Sequence, residues 1–68
     1  MGMKADRVEV SRDEQKKQWL VRIQVGGEVI RRHIRDSKNP GENELRDLAV
    51  KVAADEGYTT DPSEVVLV

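Results

Sequence analysis

Hydrophobic and polar residues alternate along two stretches in the first half of the chain. Residues 6–12 read Asp-Arg-Val-Glu-Val-Ser-Arg, and residues 18–25 read Gln-Trp-Leu-Val-Arg-Ile-Gln-Val. A period of two is typical of half-buried strands, and Val, Ile and Trp are common strand residues. Gly26 and Gly27 follow the second stretch, and two glycines at such a place predict a tight hairpin turn. Residues 28–35 then form the returning strand.

The period changes to that of a helix in the second half of the chain. Apolar residues recur there at three- and four-residue spacing, at Leu45, Leu48, Ala49, Val52 and Ala53. The start of this helix has two interpretations. Either Asn39 caps it with Pro40 in the first turn, or Asn43 caps it and Gly41 belongs to the preceding loop. Glycine is a poor helix former, which favours Asn43, and Gly57 predicts the end.

The last apolar stretch predicts a fourth strand. Asp61, Pro62 and Ser63 form a turn, and residues 64–68 read Glu-Val-Val-Leu-Val. The order is β-β-β-α-β, which predicts an α+β fold with a mainly antiparallel sheet and one helix packed on one face. Residues 1–68 form a single small domain, in which we expect residues 1–5 to be disordered. The pattern leaves open whether the last strand pairs beside the first strand or beside the third.

The glycine turn also fixes which side chains share a face of the sheet. With the two glycines as the loop, Ile23 faces Ile30 on the apolar face, and Arg22 faces Arg31 on the opposite, open face. We expect Arg7 of the first strand to lie beside Arg22. Basic side chains therefore form a row on the open face, and its predicted members are Arg7, Arg22, Arg31, His33 and Arg35.

Two residues of the apolar face have unusual side chains. We expect Trp19 to anchor the core. Arg32 falls on the same face, between two isoleucines of the third strand. We expect it at the edge of the sheet, with its aliphatic stem packed and its guanidinium in water or against an acidic residue of the helix.

Charge is distributed unevenly along the chain. The total is 12 Lys and Arg against 13 Asp and Glu, a net charge of −1. Residues 1–38 hold ten basic and six acidic residues, whereas residues 39–68 hold two and seven. The sheet is therefore basic and the helix acidic. Like charges opposite each other on a sheet are destabilising, so either Glu9 relieves the arginine row or an anionic partner does.

Several classes of function are disfavoured. The chain lacks cysteine, which excludes disulfides and thiolate metal sites. His33 is the only histidine, and its neighbours Arg31 and Arg35 would repel a metal ion. No serine or threonine lies in a nucleophile motif, and 68 residues are few for a ligand cleft. We therefore expect no enzyme, no catalytic residue, no metal and no cofactor. No apolar run approaches a membrane span, and we expect a cytoplasmic location.

Two families resemble parts of this chain. Three antiparallel strands followed by a helix, with the stretch 19–27 and the basic pair Arg31 and Arg32, resemble the arm-type DNA-binding domain of phage-type tyrosine integrases. That resemblance covers about residues 6–56 and implies a sheet that docks on DNA. The fourth strand and the acidic helix depart from it. The hairpin, helix and strand of the second half resemble a ubiquitin-type β-grasp, which implies a protein-interaction module.

The function that these patterns favour is non-enzymatic binding. The first hypothesis is nucleic-acid binding, with Arg7, Arg22, Arg31 and Arg35 contacting phosphates and His33 assisting. The alternative is a protein-interaction module that uses the sheet face or an exposed strand edge, including self-association by strand addition. The sequence leaves open the identity of the partner, the biological process, the oligomeric state and whether the chain is full-length.

Overall fold

The computed structural model of the protein describes residues 3–35 and 41–68. Its elements are β1 (Met3–Lys4), β2 (Arg7–Asp13), β3 (Gln18–Val25), β4 (Glu28–Arg35), α1 (Glu42–Asp55), β5 (Tyr58–Thr59), a 3-10 helix (Pro62–Glu64) and β6 (Val65–Leu67). Four strands form one sheet in the order β4-β3-β2-β6, and β1 pairs with β5 in a second, two-stranded sheet. The predicted α+β class is confirmed.

The β3–β4 hairpin has the predicted register. Ile23 lies opposite Ile30, and Arg22 lies opposite Arg31. Gly26 has a φ of 59°, and a positive φ at the first loop position is what a type II′ turn requires. The Gly26 amide also donates a hydrogen bond of 2.6 Å to Oδ2 of Asp6, which ties the turn to the residue before β2.

The predicted register of β2 is wrong by two residues. Glu9, not Arg7, lies opposite Arg22, and Arg7 lies opposite Gln24. The two strands stay paired as far as Asp13 and Gln18, which leaves a loop of only four residues, 14–17. Asp13 helps to close that loop, since its Oδ1 accepts a hydrogen bond from the amide of Lys16 at 3.2 Å. A shift of two residues preserves the faces.

The helix begins differently from either prediction. Gly41 is the N-cap, with extended backbone angles and no side-chain capping bond, and the helix starts at Glu42. Asn43 lies inside the first turn, so it does not cap the helix, and Asn39 and Pro40 lie outside the described residues. Glycine is an acceptable N-cap, and the acidic residues of the first turn complement the positive end of the helix dipole.

The predicted end of the helix is confirmed. Glu56 is the C-cap, and Gly57 follows with a φ of 91°. The Gly57 amide donates to the carbonyl of Ala54 at 2.9 Å. Tyr58 then packs against the core. The left-handed backbone at Gly57 turns the chain from α1 into β5.

Replacing Gly57 by alanine is expected to lower the free energy of unfolding by about 1–2 kcal/mol, because a side chain is strained at this φ. Gly27→Ala is the matched control. An added Cβ meets nothing within 4 Å at either position, and the φ of Gly27 is not left-handed. Urea unfolding of both variants checks this, and equal losses would contradict the assignment of strain to Gly57.

The core lies between the sheet and α1. Its fully buried members on the sheet are Val8, Val10, Val21 and Ile23, and Leu45, Ala49 and Ala53 meet them from the helix. The small helix residues allow close approach to the sheet. The helix packs on β2, β3 and β6 and so covers the half of the sheet away from β4.

Both ends of the described chain join this core. β6 pairs in parallel with β2, the first of the predicted strands, and not with the third. β4 is therefore at the other edge of the sheet. The expected disorder of residues 1–5 does not match the structure, because Met3 and Lys4 pair with β5 and Ala5 is buried. Residues 1 and 2 lie outside the described residues.

Candidate nucleic-acid interface

The open face is the face of the four-stranded sheet opposite α1. Alternation along each strand brings all the predicted site residues to this face, namely Arg7 of β2, Arg22 of β3, and Arg31, His33 and Arg35 of β4. The carboxylates that the four strands contribute to the same face are Glu9 and Asp13. Among the strand residues that the structure describes, the open face therefore holds four arginines against two acids.

Glu9 is shared between two arginines. Its Oε1 lies 3.4 Å from Nε of Arg7 and 3.8 Å from Nη1 of Arg22. The Glu9 side chain is the most buried of the three, at 21 % exposed. One carboxylate thus partly neutralises two guanidinium groups, so Glu9 relieves the repulsion on β2 and β3 but leaves an excess of positive charge. The sequence placed Glu9 on this face but not opposite Arg22.

The two open-face arginines of β4, Arg31 and Arg35, have less compensating charge nearby than Arg7 and Arg22. Arg31 lies directly opposite Arg22. Within residues 3–35 and 41–68, no carboxylate is at salt-bridge distance from Arg31 or Arg35. His33 lies between them on the strand, and its Nε2 is 3.5 Å from Oδ2 of Asp13. Positive charge on the open face is therefore least compensated along β4.

Arg32 lies on the other face of β4, as predicted. Its Nη2 pairs with Oε1 of Glu56 at the end of α1, and its Nη1 donates to the carbonyl of Arg31 at 2.9 Å. The expectation that its guanidinium reaches an acidic residue of the helix is confirmed. Arg32 links the uncovered end of the sheet to the helix and does not belong to the open face.

Trp19 lies on the core side of the sheet, where it packs against the core. The guanidinium carbon of Arg12, on the neighbouring strand, is 5.0 Å from the centre of the indole ring, a cation–π contact. This contact depends on the pairing of Arg12 with Trp19, which the predicted register of β2 did not contain. Neither residue contributes to the open face.

A second group of polar residues surrounds an open hollow of about 330 Å³ between β1 and the 3-10 helix. Asp61 caps that helix, and its carboxylate accepts hydrogen bonds from the amide and hydroxyl of Ser63 at 3.1 and 3.0 Å. These bonds lower the pKa of Asp61 below its usual value. Lys4 and Glu64 form an ion pair of 3.2 Å beside it. The hydrogen bonds of Asp61 fix a turn, which agrees with the predicted role of residues 61–63.

No group of three or more His, Asp or Glu side chains in residues 3–35 and 41–68 could hold a metal ion. No helix in the same residues has the length and apolar character needed to cross a membrane.

The fold and the open face together describe a small α+β domain with a basic sheet face and an acidic helix. A scan against protein-family models and searches of curated proteins and of solved structures found no match.

Proposed function

We propose that the protein is a cytoplasmic, non-enzymatic binding module that holds the phosphate backbone of a nucleic acid on its open face. One observation carries the proposal. Arg22 and Arg31 lie directly opposite each other, and no carboxylate among the described residues compensates Arg31. Like charges in this position destabilise a sheet. A row of phosphates would neutralise them and convert the repulsion into binding.

The proposed contacts differ in strength along the face. Arg31 and Arg35 are the principal phosphate contacts, because no carboxylate in residues 3–35 and 41–68 lies at salt-bridge distance from either. They are four positions apart on β4, a span of roughly 13 Å, so they reach different phosphates. Arg22 adds a contact in the middle of the sheet. Arg7 contributes less while it shares Glu9, and His33 assists as a hydrogen-bond donor.

The acidic helix supports a one-sided mode of binding. α1 carries two acidic residues in its first turn, Glu42 and Glu44, and no basic residue in its last. It also lies on the opposite side of the sheet from the arginines. Phosphates are attracted to one side of the molecule and repelled from the other, which orients the domain even though its total charge is −1.

An amide NMR titration tests the proposal. The protein is titrated with short mixed-sequence DNA and RNA oligonucleotides, single-stranded and duplex, at low and at physiological salt. We expect shifts at Arg7, Arg22, Arg31, His33 and Arg35. On duplex DNA, the affinity should fall with salt at a log–log slope of about −0.9 per neutralised phosphate. Absence of shifts at low salt, or shifts confined to α1, would overturn the proposal.

A further inference from the structure

The outer edge of β4 is a long strand edge without a partner strand in residues 3–35 and 41–68. β4 is the terminal strand of the sheet and spans the eight residues Glu28–Arg35. In a hairpin with a two-residue loop, the residues flanking the loop exchange hydrogen bonds with each other, and every second residue of the strand points its backbone outwards. The outward groups on β4 therefore belong to Val29, Arg31, His33 and Arg35.

These outward-pointing residues also place their side chains on the open face. The side chains of a strand added to β4 would thus meet a basic row, and its backbone would meet the outward-pointing amides of β4. The charge selects the kind of strand. Antiparallel pairing of two copies of β4 with Arg31 opposite Arg35 would set like charges against each other, which is destabilising. An acidic strand would compensate the same residues.

The other face of β4 adds an apolar requirement. Ile30 and Ile34 are half-buried and pack against the core. Residues of an added strand that lie beside them would extend this apolar surface. An added strand that matches both faces therefore has acidic residues toward the open face, alternating with β-branched apolar residues toward the core side.

We propose that β4 accepts an extended, acidic segment of a partner protein as an added strand. Main-chain hydrogen bonds supply affinity in such complexes, and alternate side chains supply specificity. Arg32 currently occupies one position on this edge, since its Nη1 binds the carbonyl of Arg31 at 2.9 Å. The incoming strand replaces that bond, while Arg32 keeps its ion pair with Glu56. The inference does not depend on nucleic-acid binding, because it requires the backbone of β4 as well as its charge.

The test uses a fluorescent heptapeptide, Glu-Val-Glu-Thr-Glu-Val-Glu, and the full chain. His33→Pro removes an outward amide but leaves the hydrogen bonds between β3 and β4 in place. The matched control His33→Ala keeps that amide and removes the same imidazole. We expect His33→Pro to bind the peptide about tenfold more weakly than His33→Ala, which corresponds to the loss of a backbone hydrogen bond. Equal affinities of the two variants would overturn the proposal.

A second measurement leaves the protein unchanged, which covers the case in which His33→Pro does not fold. Two versions of the peptide carry N-methyl groups, one on the odd-numbered and one on the even-numbered residues. In an added strand, one version loses the amides that face β4, and the other loses the amides that face solvent. We expect one version to lose binding and the other to retain it. Equal binding of both versions, or failure of the unmodified peptide to bind at low salt, would overturn strand addition, as would concentration-dependent self-association through β4. Nucleic-acid binding, which requires side chains only, should respond alike to both His33 variants.

Discussion

Replacing Ile23 by alanine is expected to leave the protein largely unfolded at 25 °C. Ile23 is completely buried and is the largest of the fully buried side chains in residues 3–35 and 41–68. Removal of three carbon atoms from such a site costs about 2–5 kcal/mol, whereas a domain of this size has a net stability of roughly 3–5 kcal/mol. The single substitution therefore removes most of the available stability. Far-UV circular dichroism and urea unfolding followed by Trp19 fluorescence measure the effect.

Two controls separate the core from the rest of the sheet. Ile23→Val keeps most of the volume and should cost about 0.5–1.5 kcal/mol. Val29→Ala changes a residue that is 38 % exposed on the open face, and should alter stability by no more than about 0.5 kcal/mol. A cooperative transition of Ile23→Ala with a loss similar to that of Val29→Ala would contradict this description of the core.

Local patterns were sufficient to predict the hairpin and the faces of its strands. The two glycines set a short loop, and alternation then assigned Ile23 to the core and Arg22 to the open face. No comparable signal was present between β2 and β3. The loop 14–17 has no glycine or proline, and its length decided whether Arg7 or Glu9 met Arg22. A register error of two residues was therefore invisible to the alternation, since it leaves every side chain on its predicted face.

The pairing of strands that are far apart in the chain could not be predicted from the sequence. The apolar stretch at 64–68 indicated a strand, but its position beside β2 depends on how α1 crosses the sheet. The same is true of β1, whose two residues carry no strand pattern and pair with a β5 that lies more than 50 residues away in the chain. For the candidate site, the sequence predicted which residues share the open face. It could not predict that Glu9 would lie between Arg7 and Arg22 while no described carboxylate reached Arg31, because this follows from the register.

Arg31→Glu is expected to abolish measurable binding of oligonucleotides at physiological salt while leaving the fold intact. The change removes a phosphate contact and introduces a repulsive charge at the centre of the proposed interface, which should weaken binding by at least about tenfold. It also places a carboxylate opposite Arg22. An opposite-charge pair there should raise the free energy of unfolding by about 0.2–1 kcal/mol. Fluorescence anisotropy and urea unfolding measure the two effects on the same sample.

Lys51→Glu makes the same change of charge on the exposed surface of α1. If binding depended only on net charge, both variants would lose the same affinity. The proposed interface requires a much smaller loss for Lys51→Glu, since α1 lies on the opposite side of the sheet.

Glu9→Gln provides the converse test, because it releases Arg7 and Arg22 from their shared carboxylate and should strengthen binding while slightly reducing stability. The proposal therefore predicts that Arg31→Glu binds more weakly but is more stable, and that Glu9→Gln binds more tightly but is less stable. This inverse relation would show that the repulsion on the open face serves the binding of an anionic partner. A variant in which affinity and stability changed in the same direction would contradict that role.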